Sequence, residues 1–236
     1  MILRFCIIKK IEKEKIRERK RRLTVEKPLG ILKNGGYGMD TMEEKQEQFE
    51  KMERHLTGDN RPSEYFKSLE ETGVLLEYPF SMLLHLKDAN QSPEHHPEGN
   101  VWNHTMLVID EAAKVKEKSS DAGMFMWAAL LHDLGKPSTT KVRKGRITSY
   151  DHEKLGAKLA FEFLSPFLDD RKLIEKVCAL VRWHMQILFV VKDLPFADIR
   201  AMKSQTSIDD VALLGLCDRL GRLNPDREKE EENVRI

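Results

Sequence analysis

From about residue 40 onward, apolar residues recur at helical spacing, and five of the predicted helices each carry an ionisable side chain on the apolar face. His104, for example, shares its face with Leu107, Val108 and Ala112. The residues placed in this way are His104, His132, His152, His184 and Asp218, and Asp133 follows His132 directly. Because burial of an unpartnered polar group is costly, the fold must bring partners to these side chains.

Helix boundary signals predict an all-α fold class. Side chains that commonly cap helix starts stand at Asn60, Asn103, Asp121, Asp151, Asp169 or Asp170, and Ser207. Gly221 is a stop signal for the helix that begins at Ser207, which we expect to be the last. Period-two alternation occurs only near residues 141–150, where KVRKGRITSY predicts a small β-hairpin turned at Lys144-Gly145. The sequence therefore predicts a helical bundle with one hairpin insertion.

Charge is distributed unevenly along the chain. Forty Lys and Arg against 39 Asp and Glu give a net charge of +1, so bulk electrostatics do not favour a nucleic-acid or membrane binder. Residues 1–27 nevertheless carry eleven Lys or Arg and four Glu, which leaves the remainder mildly acidic. We expect residues 1–38 to be a basic leader that is disordered or not native. Residues 39–224 are then one domain, and 225–236 a charged C-terminal tail.

The cysteine pattern and the hydropathy bear on the compartment. The three cysteines have no Cys-x-x-Cys spacing, which excludes a disulfide framework or a cysteine-based zinc site. The apolar start is short and precedes its positive charges, the wrong order for a secretory signal. No apolar run reaches membrane-spanning length. We therefore expect a cytoplasmic protein with no membrane partner.

The carboxylates on apolar faces predict a bound cation. Asp133 and Asp218 need a positive partner, yet no Lys or Arg shares their apolar faces. Neutral imidazole nitrogens and carboxylate oxygens are good ligands for first-row divalent metals, which make burial of the acids tolerable. A lone buried histidine is more often a hydrogen-bonded core residue, so the prediction depends on the whole set. We expect these side chains to converge on a metal.

The order His104, His132-Asp133, Asp218 resembles the H…HD…D signature of the HD superfamily of metal-dependent phosphohydrolases. Residues 60–224 are also similar to the HD portion of bacterial CCA-adding tRNA nucleotidyltransferases. The similarity is carried, in order, by SPEHHPEGNVWNHTMLVID, AALLHDLGKPST, YDHEKLGAKLA, VRWHM and LCDRLGR. It implies an HD-domain helical bundle. The residues ahead of it lack the Gly-Ser turn and paired carboxylates of a nucleotidyltransferase head, so we expect the hydrolase module alone.

The resemblance implies roles for particular residues. The signature metal ligands are His104, His132, Asp133 and Asp218; His152 and His184 would add a second metal, with Asp133 bridging. The cofactor would be one or two divalent ions, of Mn, Fe, Co, Ni, Zn or Mg, and the metal would activate the attacking water. Lys136 would act with Asp133 in catalysis by contacting the phosphate. The other substrate-binding candidates are His96, Arg219 and Arg222.

The expected function is cleavage of phosphomonoester or phosphodiester bonds of nucleotides, including 2′,3′-cyclic and 2′-phosphates, with RNA as a further candidate substrate. Two alternatives are also open. Some HD proteins with the same six ligands hold a mixed-valent di-iron centre and oxygenate their substrates. A non-catalytic HD module could instead bind RNA through the basic leader. The oligomeric state is open at this point.

Overall fold

The computed structural model describes residues 41–234, so the expected leader, residues 1–38, lies outside the described residues. Within 41–234 the α-helices are α1 (Met42–Gly58), α2 (Pro62–Ser68), α3 (Ser81–Leu84), α4 (Val101–Val115), α5 (Ala122–Leu131), α6 (Lys136–Thr139), α7 (His152–Leu164), α8 (Arg171–Trp183), α9 (Gln186–Val191), α10 (Ile199–Lys203), α11 (Ile208–Leu220) and α12 (Arg227–Val234). Short 3₁₀ helices occur at Leu69–Glu71, Val74–Leu76, His85–Asp88 and Lys116–Lys118. The predicted all-α class is confirmed.

The predicted hairpin is also present. Strand β1 (Lys141–Arg143) pairs antiparallel with β2 (Arg146–Thr148), and Arg143 stands opposite Arg146. Lys144 and Gly145 form the two-residue loop, with φ angles of 50° and 76°. Positive φ at both positions fits a type I′ turn, which matches the twist of the flanking strands and favours glycine at the second position. The hairpin links α6 to α7.

Helix α5 is apolar on every side, and its residues from Met124 to Leu131 are all buried. A helix without a polar face must be surrounded, and α1, α4, α8 and α11 pack around it. Asp121 caps its start by accepting a hydrogen bond from the backbone N–H of Met124. The chain then continues directly into His132 and Asp133. These two residues therefore lie in the centre of the bundle.

Stacked aromatic rings fix α1 against α5. Phe49 stacks on Trp127 with ring centroids 4.7 Å apart and on Phe167 at 4.6 Å. Phe80 stacks on the same Phe167 ring at 5.4 Å.

The described helices belong to one compact unit, and none of them is long and apolar enough to cross a lipid bilayer.

Most predicted helix starts agree with the structure, and three boundaries differ. The N-cap of α2 is Arg61 and not Asn60, since the helix begins at Pro62. The predicted caps that stand at N-cap positions are Asp121, Asp151, Asp170 and Ser207. Helix α4 begins before Asn103, because the side chain of Asn100 accepts a hydrogen bond from the Asn103 N–H. The helix from Ser207 is not the last, since α12 follows within the expected charged tail. There Glu230 pairs with Arg219 of α11.

Candidate metal centre

The six predicted metal ligands come together beside the C-terminal end of α5. They are supplied by α4 (His104), the turn after α5 (His132 and Asp133), the first residue of α7 (His152), the residue after α8 (His184) and α11 (Asp218). All are buried except Asp218, whose side chain is 18% exposed. The convergence expected from helical spacing is therefore present in the structure.

Three of the four histidines are oriented by the turn that precedes them. In each, Nδ1 lies within hydrogen-bonding distance of the carbonyl oxygen three residues earlier. The pairs are His132 with Ala129 at 2.8 Å, His152 with Ser149 at 2.7 Å, and His184 with Val181 at 2.7 Å. Since a carbonyl oxygen only accepts, Nδ1 must carry the proton, which leaves the lone pair on Nε2. This tautomer can bind a metal through Nε2.

His104 is oriented by residues distant in sequence. Its Nδ1 lies 3.1 Å from the carbonyl oxygen of Gly221 and 3.0 Å from Oε1 of Glu98. Its Nε2 lies 2.9 Å from Oδ1 of Asp218. Burial lowers the pKa of His104, but the contacts with Asp218 and Glu98 outweigh burial and raise the pKa above its usual value. A cation between Nε2 and Asp218 would replace the proton that these groups share.

Asp133 stands between two sets of ligand atoms. Its Oδ2 lies 3.2 Å from Nε2 of His132 and 3.9 Å from Nε2 of His104. Its Oδ1 lies 3.4 Å from Nε2 of His152 and 3.9 Å from Nε2 of His184. One candidate set of ligand atoms comes from His104, His132 and Asp218, and another comes from Asp133, His152 and His184. Within each set, the three atoms lie within 4.8 Å of one another. Each oxygen of the carboxylate thus faces a different pair of imidazoles, as a bridging ligand would.

The rings of His152 and His184 meet edge to face, and their Nε2 atoms lie 3.3 Å apart. Because Nδ1 carries the proton in both rings, two lone pairs meet unless one ring is charged. Burial lowers the pKa of His152 despite the nearby Asp133 charge, and burial together with the neighbouring His152 lowers the pKa of His184 to about 3. A metal cation would remove the repulsion between the two nitrogens.

Unpartnered buried atoms test whether a metal fits. Within residues 41–234, three buried atoms of the cluster have no hydrogen-bond partner. They are both carboxylate oxygens of Asp133 and the Nε2 atom of His132. Buried polar atoms of this kind are costly and need a partner. Imidazole nitrogens and carboxylate oxygens form a donor set that suits first-row divalent ions. The residues therefore fit a divalent metal.

Lys136 supplies a positive charge that the apolar faces did not predict. Its Nζ lies 2.7 Å from Oδ2 of Asp133, an ion pair without hydrogen-bond geometry, and donates a hydrogen bond to Oε1 of Gln91 at 2.8 Å. Helix α5 ends at Leu131, and the following turn brings residue 136 back to Asp133. No Lys or Arg shares the apolar face of the helix before Asp133, and Lys136 reaches the carboxylate from beyond the end of that helix. One ammonium group still leaves Oδ1 without a donor.

Both carboxylates are held in the charged form. Burial raises the pKa of Asp133, but the charges of His132 and Lys136 outweigh burial, and the pKa lies well below its usual value. For Asp218, burial is outweighed by the hydrogen bond with His104, and its pKa is also well below the usual value. Ionised carboxylates are the form that binds a metal.

His96 and Glu98 lie beside His104 at the edge of the cluster. The rings of His96 and His104 meet edge to face, with centroids 4.9 Å apart. Glu98 is 2% exposed at its side chain, and its Oε1 also lies 2.8 Å from Nδ1 of His96. His96 was a predicted substrate-binding residue, whereas Glu98 was missed. Its only signal in the sequence was its place two residues after His96 in the HPEG loop.

The two predicted substrate-binding arginines have different surroundings. Both carboxylate oxygens of Glu230 contact the Arg219 guanidinium. Arg222, one residue after the Gly221 carbonyl that holds His104, has a buried Nε without a hydrogen-bond partner within residues 41–234. Arg222 is therefore the better placed of the two for an anion, since Glu230 already neutralises Arg219.

Close backbone approach positions His152. A Cβ atom on Gly135 would lie 2.1 Å from the carbonyl oxygen of His152 and 2.8 Å from the backbone nitrogen of Gly156. A Cβ on Gly156 would meet the His132 carbonyl oxygen at 3.4 Å. The contact of these two glycines brings α7 against the turn that carries Asp133.

Helices that surround a buried cluster of inward-facing Nε2 and carboxylate atoms define a helical domain with a candidate metal site. Residues 101–198 match the family model described as HD domain, which includes five of the six candidate ligands, with Asp218 beyond the matched range. The chain therefore carries an HD domain, the domain of a superfamily whose members are generally metal-dependent phosphohydrolases.

Curated relatives confirm the predicted resemblance to CCA-adding enzymes. The chain is 37% identical over 103 residues to the Multifunctional CCA protein of Actinobacillus pleuropneumoniae serotype 5b (strain L20), covering 44% of this chain and 24% of the relative. It is 33% identical over 164 residues to the protein of the same name from Methylococcus capsulatus (strain ATCC 33009 / NCIMB 11132 / Bath), covering 69% of this chain and 33% of the relative. The chain thus spans about a quarter to a third of the length of these relatives.

Proposed function

We propose that this chain is a metal-dependent phosphohydrolase that cleaves phosphomonoester or phosphodiester bonds of nucleotides. The observation that carries the proposal is the buried Asp133 carboxylate, because its Oδ1 has no donor within residues 41–234 and its two oxygens face the Nε2 atoms of different imidazoles. The residues proposed to hold one or two divalent ions are His104, His132, Asp133, His152, His184 and Asp218. The cytosol is the proposed location, on the sequence argument alone.

The chain's own side chains would prepare this chemistry. A bound divalent cation lowers the pKa of a coordinated water and stabilises negative charge on phosphoryl oxygens. Backbone carbonyls and Glu98 keep the four imidazoles oriented with Nε2 inward. Lys136, held between Asp133 and Gln91 with 12% of its side chain exposed, would present its ammonium group to the phosphate. His96 and Arg222 would border the same phosphate.

Phosphate release from defined nucleotides tests the proposal. The full chain is purified without chelator, its metal content is measured, and it is assayed with added Mn²⁺, Co²⁺ or Ni²⁺. Substrates are 2′-, 3′- and 5′-AMP and 2′,3′-cyclic AMP, which separate monoester from diester cleavage. We expect hydrolysis that EDTA abolishes and added metal restores. Turnover that consumes oxygen and leaves every phosphoester intact would contradict the proposal and favour the oxygenase alternative.

Arg222→Gln is expected to raise KM for the nucleotide by about tenfold with kcat little changed, because a hydrogen bond to a charged group contributes about 1.5 kcal/mol. Initial-rate kinetics over a range of substrate concentrations separate KM from kcat. Arg219→Gln is the matched control and should leave KM unchanged, since Glu230 already engages that guanidinium. Equal increases in KM for the two variants would mean that Arg222 has no special contact with the phosphate.

Glu98→Met is expected to weaken metal binding by about 10- to 100-fold, because the carboxylate that orients the His104 ring is lost. Glu98→Gln, which keeps one carbonyl acceptor, should lose less. Affinity is measured with the metal alone, by competition with a chromogenic chelator. Glu111→Gln on α4, the helix that carries His104, removes a carboxylate bound to Lys114 and Arg227 and should not change metal affinity. Identical affinities for the Met variant and the unmodified chain would rule out this positioning role.

A further inference from the structure

The hairpin between α6 and α7 presents a compact basic surface. Its four cationic side chains are all exposed: Lys141, Arg143, Lys144 and Arg146. No acidic residue occurs between residues 134 and 150. The next acid along the chain, Asp151, is paired with Lys154 at 2.6 Å. The four charges are therefore free to meet an external anion, although most of the chain outside the leader is mildly acidic.

An exposed aromatic ring lies on the same element. Tyr150 is 63% exposed, and the Arg143 guanidinium lies over its ring, 4.9 Å from the centroid. Val142 on the hairpin is 72% exposed. Cationic side chains beside an exposed aromatic face are the combination that binds single-stranded nucleic acid, because phosphates contact the cations and a base stacks on the ring.

Both ends of the hairpin are tied to the candidate metal centre. The hairpin begins five residues after Lys136, and its base is closed by a 2.7 Å hydrogen bond between the hydroxyl groups of Thr140 and Ser149. The carbonyl oxygen of Ser149 accepts the hydrogen bond from Nδ1 of His152. A strand that follows the hairpin would therefore run toward the residues proposed to act on phosphoesters.

We propose that this hairpin binds the nucleic-acid strand next to the phosphoester that the site cleaves, with the four cations on backbone phosphates and Tyr150 stacked on a base. The inference rests on the proposed function and adds that the ends of single-stranded polynucleotides are better substrates than free mononucleotides, which lack a strand for the hairpin to bind. A phosphate-directed site at the foot of the hairpin, together with the exposed ring, favours nucleic acid over an acidic peptide or an anionic membrane.

Direct binding tests the hairpin without any need for hydrolysis. The full chain, in EDTA, is titrated into a fluorescein-labelled 12-nucleotide RNA and into the DNA of the same sequence, with anisotropy measured from 50 to 300 mM KCl. Replacement of Lys141, Arg143, Lys144 and Arg146 by glutamine should weaken binding at least about tenfold. It should also reduce the slope of log K against log salt by about 3. Tyr150→Ala alone should weaken binding about tenfold through lost stacking.

A matched variant controls for net charge and for the basic leader. It replaces four exposed lysines elsewhere, Lys158, Lys172, Lys176 and Lys203, with glutamine. The net charge changes equally, so the hairpin proposal predicts less than a threefold loss for this control. Equal losses for the two quadruple variants, or none for the hairpin variant, would overturn the proposal. Thermal unfolding is expected to be the same for both, because all eight side chains are exposed.

Activity then separates this inference from the proposed function. With metal added, the hairpin variant should keep the kcat/KM for 2′,3′-cyclic AMP and lose at least about tenfold in kcat/KM for an RNA that ends in a 2′,3′-cyclic phosphate. If the hairpin variant and the unmodified chain both hydrolyse 2′,3′-cyclic AMP and have the same kcat/KM for the RNA, the hairpin role is overturned. The proposed phosphohydrolase activity would then still stand. Stronger binding to phosphatidylserine vesicles or polyglutamate than to RNA would also overturn it.

Discussion

Asp133→Asn is expected to bind no metal and to release phosphate at least about a thousandfold more slowly than the unmodified chain, because several kcal/mol of transition-state stabilisation depend on the metal. The substitution keeps the side-chain shape and removes the negative charge that faces four imidazole nitrogens. Metal content by mass spectrometry of the purified protein, together with steady-state phosphate release, measures the two effects separately.

Stability should also fall in Asp133→Asn. The substitution removes the charge that pairs with Nζ of the largely buried Lys136, so in metal-free protein the free energy of unfolding should fall by about 3 kcal/mol. Asp210→Asn is the matched control on α11, since that buried carboxylate accepts hydrogen bonds from N–H and Oγ of Ser120. It should lower stability by about 1–3 kcal/mol and retain the metal. Full metal content in Asp133→Asn would refute the ligand assignment.

Gly135→Ala is expected to lower the free energy of unfolding by about 3 kcal/mol or more and the Tm by about 10 °C. The added Cβ would lie 2.1 Å from the His152 carbonyl oxygen, and a backbone atom cannot move aside without moving α7. That movement would displace His152 from Asp133, so metal affinity should fall together with stability. Calorimetry and chelator competition on the same preparation test both effects.

Gly58→Ala is the control for Gly135→Ala. A Cβ at this position, the last residue of α1, meets no heavy atom within 4 Å. Alanine should therefore be neutral or stabilise the helix by up to about 1 kcal/mol, through its better helix propensity and the lower entropy of the unfolded chain. If both alanine variants unfold at the same temperature as the unmodified chain, the close approach at Gly135 is not required.

The sequence was informative about the candidate ligands because each lies on or next to a helix whose apolar face is readable at a spacing of 3.6 residues. His104 and Asp218 could be assigned to buried faces before their distance was known. The structure adds that their Nε2 and Oδ1 atoms lie 2.9 Å apart. The turn of the hairpin could also be predicted from neighbouring residues, because the loop consists of the adjacent pair Lys144 and Gly145.

The partners of the ligands were harder to predict, since they come from irregular segments. Lys136 follows the end of α5, where helical spacing no longer fixes direction, and it reaches Asp133 through a turn. Glu98 lies in a loop with no periodicity, and its contact with His104 depends on where that loop packs. Gly135 has an ordinary helix-stop signal in the sequence, while its close contact with α7 is a relation between two segments.

The sequence alone determined the all-α class, the hairpin, and which imidazoles and carboxylates are placed on buried faces, because these properties depend on the spacing of neighbouring residues. Only the tertiary structure decided that Asp133 stands between two pairs of imidazoles, that Lys136 and Glu98 contact the cluster, and that Glu230 takes up Arg219. These contacts depend on how separate segments pack around α5, and local periodicity carries no information on the distance between segments.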